Sequence, residues 1–163
     1  MTIDRLTKTL ARRLAQRGLH IVLAESCTAG LVSATLARVP GISRWHCGSA
    51  VAYRERTKED WLDVPRGEIE CSTAVSEAVA RQMAIGVLRH TPEADISASV
   101  TGHLGPDAPK EQDGIIFVGF ARRQQAEIRD MDVRRYELGE QTRLKRQKEA
   151  VAVVLTRVLE LIS

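Results

Sequence analysis

Ser26, Cys27 and Thr28 stand together in the stretch Ala24-Glu25-Ser26-Cys27-Thr28-Ala29-Gly30, directly after the run His20-Ile21-Val22-Leu23. A short apolar run rich in β-branched residues reads as a buried strand. The following Gly30-Leu31-Val32-Ser33-Ala34-Thr35-Leu36-Ala37 has helical spacing. The three reactive side chains are therefore expected on a strand-to-helix turn, with hydroxyls and free backbone N–H groups aimed at one point. Such a turn can hold a nucleophile, or it can cradle a phosphate at a helix N-terminus.

Ligands of open α/β sheets bind outside the carboxyl ends of the strands. Three polar loops of small residues follow expected strands here, at 25–30, 53–58 and 101–106. One pocket built from all three would gather Ser26, Thr28, Tyr53, Lys58 and Thr101, with backbone amides near Gly102 and Gly105. Amide hydrolysis needs a nucleophile, a base for its proton and donors for the oxyanion. A serine can be activated by a lysine whose pKa is depressed by burial or by other cations. Each residue also has a structural reading: Ser26 as a helix cap, Lys58 on a solvated charged face between Arg54 and Asp60, and Cys27 as a small buried hydrophobe. His103 falls in the expected pocket, where a histidine can act as acid, base or phosphate ligand.

The elements that must position these residues alternate. Leu6, Leu10 and Leu14 define an amphipathic helix stopped at Gly18. A strand at 20–25 and a helix at about 29–38 follow, then a strand over 48–53 and a short charged helix ending before Pro65. Ser72 or Thr73 is expected to cap one long helix running to about His90. A strand at 95–100, a strand at 114–121 and an edge strand at 124–137 come next, the last two able to pair as a hairpin. A final helix after Gly139 carries Leu144, Val151, Val154, Leu155, Val158, Leu159 and Leu161. Alternating strands and helices indicate a three-layer α/β/α sandwich with a mixed, mostly parallel sheet.

The 163 residues fit one domain, 1–163, long enough to bury roughly 70% of its unfolded surface. A charge of +3 with two Phe, two Tyr and two Trp argues against nucleic acid, since single-strand binders need stacking platforms. Cys27, Cys47 and Cys71 are odd in number and lack C-x-x-C spacing, which argues against disulfides and zinc and fits a reducing compartment. With no signal peptide and no apolar run long enough to span a bilayer, a cytoplasmic location and no membrane partner are expected.

The motif at 24–30, Tyr53 with Lys58 five residues on, Ala74-Val75-Ser76-Glu77, Met83-Ala84 and Thr101-Gly102-x-x-Gly105-Pro106, taken in order, resemble the CinA C-terminal domain family. That family includes stand-alone nicotinamide mononucleotide deamidases called PncC. The resemblance implies hydrolysis of the carboxamide of nicotinamide mononucleotide to nicotinate mononucleotide and ammonia, with no metal and no cofactor. It implies Ser26 as nucleophile, Lys58 as its base and Tyr53 in support, with Thr101, Gly102 and Gly105 lining the pocket; Thr28, Gly30 and His103 are read beside them as further substrate contacts. A last-helix cation contacting the substrate falls on Lys145 or Arg146, depending on register, within the basic cluster Arg143, Lys145, Arg146 and Lys148. The implied partner is a small nucleotide, with a homo-oligomer possible.

The chain departs from the family pattern at Ala29, at His103-Leu104, at Ala108-Pro109 and at Gln141, where the family has glycine, smaller or simpler apolar residues, a glycine pair and arginine. These departures leave two alternatives to the deamidase: a family member that binds a nucleotide or metabolite without turnover, or a hydrolase of another amide.

Overall fold

The computed structural model describes residues 1–163, the side chains of Asp130 and Met131 excepted. In chain order the elements are α1 (Ile3–Arg17), β1 (Ile21–Glu25), α2 (Leu31–Leu36), β2 (His46–Val51), α3 (Glu55–Leu62) and α4 (Arg66–Ser72). They continue with α5 (Glu77–Arg89), β3 (Ile96–Gly102), β4 (Ile115–Gln124), β5 (Glu127–Glu137) and α6 (Arg143–Leu161). The strands form one sheet in the order β2-β1-β3-β4-β5. β1 is parallel to both neighbours, and β4 is antiparallel to both of its own. β5 therefore returns to the direction of β3, and the sheet is mixed with only β4 reversed.

The period-two alternation of β1 sorts its residues onto two cores. Ile21 and Leu23 face the layer of α1, α2 and α6, where Leu10, Leu14, Val151 and Leu155 are buried. Val22 and Ala24 face the layer of α3, α4 and α5, with Leu62, Val79 and Met83. The fold is thus the α/β/α sandwich that the alternation of elements implies.

β3 uses the same alternation differently. Ile96, Ala98 and Val100 enter the first core, while Ser97, Ser99 and Thr101 face the other way. Ser97 Oγ donates to the Ala84 carbonyl at 2.7 Å and Ser99 Oγ to the Ala80 carbonyl at 2.5 Å. A carbonyl oxygen has two lone pairs, so both helix carbonyls accept these bonds beside any within the helix. Thr101 Oγ1 donates to Ala74 O at 2.9 Å, just ahead of α5.

That last bond lies where the long helix expected from Ser72 or Thr73 is interrupted. Residues 66–72 form α4 instead, and Thr73 adopts φ 67°, ψ 163°, which no helix contains. Ser76 is the cap of α5, its Oγ accepting from Val79 N at 3.2 Å. α4 gives little periodic signal because Ile69 is its one buried residue.

The departure at Ala29 has a backbone consequence. Ala29 lies at φ 51° and Gly30 at φ 91°, both left-handed. For alanine that conformation costs about 1–2 kcal/mol, because Cβ crowds the following carbonyl. Ala29→Gly should therefore raise stability by about 1 kcal/mol once the greater freedom of the unfolded glycine chain is offset. A melting temperature about 2–4 °C higher is the expected reading; an unchanged or lower value contradicts it.

Candidate active site

β1 stops at Glu25, and the residue after it is tied to the sheet on both sides. Ser26 N donates to the Val100 carbonyl on β3 at 3.0 Å, and Ala52 N, just past β2, donates to the Glu25 carbonyl at 2.9 Å. The Ser26 side chain is held at the carboxyl end of the sheet, buried to 6% exposure. Lys58 reaches it from α3. Although its neighbours are charged, Lys58 shares an i,i+4 stripe with Leu62, and both face inward. Its Nζ lies 2.9 Å from Ser26 Oγ and 3.5 Å from the Tyr53 carbonyl, with the residue 2% exposed.

Burial is the leading influence on this amine and pushes its pKa below the ordinary 10.5, while Cys27 and the Glu55 carboxylate oppose the shift. A lysine moved in that direction supplies neutral amine closer to physiological pH, and neutral amine can accept the serine proton. Cys27, beside Ser26, behaves oppositely. Burial pushes its thiol up to about 12, so near neutrality it is a protonated, apolar wall rather than a competing nucleophile.

The phosphate-cradle alternative fails at the start of α2. The Glu25 carboxylate, 1% exposed, already occupies that position. Its Oε2 accepts from Val32 N at 3.0 Å and Thr28 Oγ1 at 2.7 Å; its Oε1 accepts from Ser33 N at 2.9 Å and Ser49 Oγ at 3.0 Å. An internal anion has taken the helix N-terminus, so the turn presents Ser26 and does not cradle a phosphate there.

Ser26 opens into a cavity of about 590 Å³ lined by the three loops singled out in the sequence. The structure brings together Ser26, Tyr53, Lys58, Thr101, Gly102, His103 and Gly105 along its wall. Thr28 and Gly30 do not reach it. Thr28 is fully buried with its hydroxyl on Glu25, and Gly30 packs toward Val51 as the cap of α2. Tyr53 meets Lys58 through its main-chain carbonyl; its ring is 52% exposed, with the hydroxyl on Arg143. Thr101 spends its hydroxyl proton on Ala74. Gly102 is required by crowding, since a Cβ there would stand 2.7 Å from the Ile115 carbonyl oxygen.

The last-helix cation at the cavity is Arg143. Its guanidinium donates to the Gly105 carbonyl at 2.7 Å and to the Tyr53 hydroxyl at 2.6 Å, spanning two loops of the wall. This corrects the expected register. Lys145 is exposed and lies 3.7 Å from Glu140, and it is not among the cavity residues. Arg146 is buried and bonds bidentately to Asp113 at 2.7 and 3.0 Å, and to the Glu140 carbonyl at 2.7 Å. Its hydrogen bonds hold the Asp113 carboxyl below the usual range. Arg146 thus braces the 104–114 loop from behind. The signal for Arg143 was its place as first residue after the Thr142 cap, with the side chain directed back over the helix start. Gln147, one turn on, reaches the Thr28 carbonyl at 3.3 Å.

The altered loop is accommodated. Pro109 takes φ −53° and opens a short 3-10 turn at Lys110–Gln112, a conformation the proline ring allows. Gly114 N donates to the His103 carbonyl and His103 N to the Ile115 carbonyl, both at 2.9 Å, closing the loop at its base. Arg54 and Arg56 add positive charge at the cavity. Arg56 pairs with Asp60 at 2.8 Å, whereas the Arg54 guanidinium makes no ion pair among the described residues.

Comparison with known proteins places the chain in a family. The CinA C-terminal domain matches residues 3–162. The chain belongs to that family. A CinA-like protein of Dictyoglomus thermophilum is 40% identical over 120 residues, covering 72% of this chain and 29% of the relative. A CinA-like protein of Desulfotalea psychrophila is 42% identical over 103 residues, covering 63% and 25%. The chain therefore spans less than a third of the length of these curated relatives. Among solved structures, the competence or damage-inducible protein of Enterobacter asburiae is 28% identical at a TM-score of 0.89, covering 100% of this chain and 99% of that one. The competence/damage inducible protein CihA of Agrobacterium tumefaciens is 27% identical at 0.87, covering 99% and 96%. Among the described residues no helix is long and apolar enough to cross a membrane, and no group of three or more His, Cys, Asp and Glu side chains gathers as a metal centre.

The burial of Lys58 predicts a pH-dependent penalty. Its native pKa lies below the unfolded value near 10.5, so between the two the unfolded chain binds the extra proton and stability rises with pH. The penalty is complete below the native pKa. Lys58→Met should therefore stabilise the protein at neutral pH, and the gain should disappear as pH rises to about 10.5. Denaturant titrations across pH measure it; a variant equally or less stable at pH 7 contradicts the assignment.

Proposed function

We propose that this domain is an amidohydrolase acting on the carboxamide of nicotinamide mononucleotide. The observation that carries the reading is the 2.9 Å contact between a buried lysine amine and a buried serine hydroxyl at the wall of a nucleotide-sized cavity. The family membership adds support, because the CinA C-terminal domain matches residues 3–162 and the resemblance to it implies Ser26 and Lys58 as nucleophile and base.

Neutral Lys58 accepts the Ser26 proton as Ser26 Oγ bonds to the carboxamide carbon. The carbonyl oxygen becomes an oxyanion, assigned to the main-chain N–H of Cys27, next to Ser26 on the cavity wall. The Lys58 ammonium then returns the proton to the departing nitrogen, the C–N bond breaks and ammonia leaves. Water attacks the nicotinoyl ester with Lys58 again as base, the bond between the acyl carbon and Ser26 Oγ breaks, and Lys58 returns the proton to Oγ as nicotinate mononucleotide is released. The substrate phosphate is assigned to the cavity rim, where Arg143 and Arg54 supply charge. The α2 N-terminus is closed to it by Glu25.

Ammonia release from nicotinamide mononucleotide should fall at least about a thousandfold in Ser26→Ala and in Lys58→Ala, with the fold intact. In the wild type, kcat/KM should rise with pH to a midpoint below 10.5, as Lys58 loses its proton. Ammonia release by Ser26→Ala at the wild-type rate would remove the nucleophile from the account.

Arg143→Ala should raise KM about 10- to 150-fold and leave kcat within about twofold, since a charge-assisted bond to an anion is worth about 1.5–3 kcal/mol. A fall in kcat at constant KM would instead place Arg143 at the reacting atoms.

A further inference from the structure

Glu25 takes no part in the proton transfers, yet it is the most completely engaged polar side chain in the molecule's reactive corner. A carboxylate offers about four acceptor positions, and all four are filled here, two on each oxygen. The donors come from three separate pieces of chain: Thr28 on the turn, Val32 and Ser33 on α2, and Ser49 on the edge strand β2. The adjacent main chain is fixed as well, by Ala52 N on the Glu25 carbonyl and by Ser26 N on Val100. No other carboxylate among the described residues is buried to this degree.

We infer that Glu25 is a positioning residue for Ser26: its carboxylate, built into the place an anion would take at the start of α2, locks β1, β2 and α2 together and thereby aims Ser26 Oγ at Lys58 Nζ. The inference rests on the reading of Ser26 as nucleophile. A glutamine here would keep the shape, but its NH2 would face two of the four donors. An alanine would leave a hole lined by two amides and two hydroxyls, shaped for a small carboxylate.

The test reads Ser26 reactivity without substrate, using a fluorophosphonate probe and mass spectrometry. In labelling, the Ser26 Oγ–P bond forms as the P–F bond breaks; fluoride leaves and the serine proton passes to Lys58. Wild type should be labelled on Ser26, and Glu25→Gln and Glu25→Ala should label at least tenfold more slowly while circular dichroism remains native. Formate should restore most of the rate in Glu25→Ala and raise its melting temperature, with neither effect in wild type or Glu25→Gln. Ser49→Ala, which removes one donor without emptying the site, should label about threefold more slowly. Ser33→Ala should keep the wild-type rate, because the Ser33 hydroxyl is on His46, 2.7 Å away, and only its amide meets Glu25.

Labelling of the Glu25 variants at the wild-type rate, or a slow folded Glu25→Ala that formate does not rescue, overturns the positioning role alone. If neither Glu25 variant folds, a wild-type rate in Ser49→Ala overturns it. Absence of Ser26 labelling in the wild type overturns the nucleophile reading and, with it, this inference.

Discussion

An ammonium group moved out of water loses several kcal/mol of solvation unless it is paired, and Lys58 is buried with only a serine hydroxyl and a distant carbonyl at its nitrogen. Among the described residues no carboxylate bonds to that nitrogen, so the charged form is left short of compensation and the neutral form gains. This constraint organises the surroundings. α3 must turn a lysine inward on the same stripe as Leu62, Cys27 must stay a thiol, and Ser26 must be fixed from three strands. The protein holds a destabilised cation where a base is useful, which is the usual conflict between stability and activity at such sites.

The two arginines of α6 divide the remaining work. Arg146 is inside, its bidentate pair with Asp113 and its bond to Glu140 bracing the loop that forms one cavity wall. Arg143 is at the rim, bonded to neutral acceptors that an incoming anion can displace. Glu25 does the complementary task behind Ser26, outside the cavity lining. It fills the α2 N-terminus with an internal charge, while the positive charge of Arg143 and Arg54 remains at the cavity.

Much of this is legible in residue order. The strand-to-helix turn, the three loops after strands and the amphipathic α1 follow from local periodicity, which is where sequence patterns are most informative. Of the site residues, Ser26 is found on the first of those loops, Lys58 in α3 just past the second loop's start, and Thr101 and Gly102 at the end of β3. What sequence did not give was side-chain direction at helix starts. Thr28 reads as a pocket hydroxyl and instead serves Glu25; Lys145 and Arg146 read as substrate contacts, while the cap at Thr142 turns Arg143 to the cavity. Glu25 itself was hidden because a buried carboxylate with four donors depends on residues up to 24 positions away. α4 and the break at Thr73 were missed for a similar reason: the bond from Thr101 to Ala74 spans 27 residues.

The protonation of Lys58 is the most direct test of this account. NMR titration of the Cε resonance of isotopically labelled lysine, assigned by comparison with Lys58→Met, reads it without any substrate. The account predicts one lysine titrating below the ordinary 10.5 and missing from the variant. A Lys58 that titrates at or above 10.5 would contradict it.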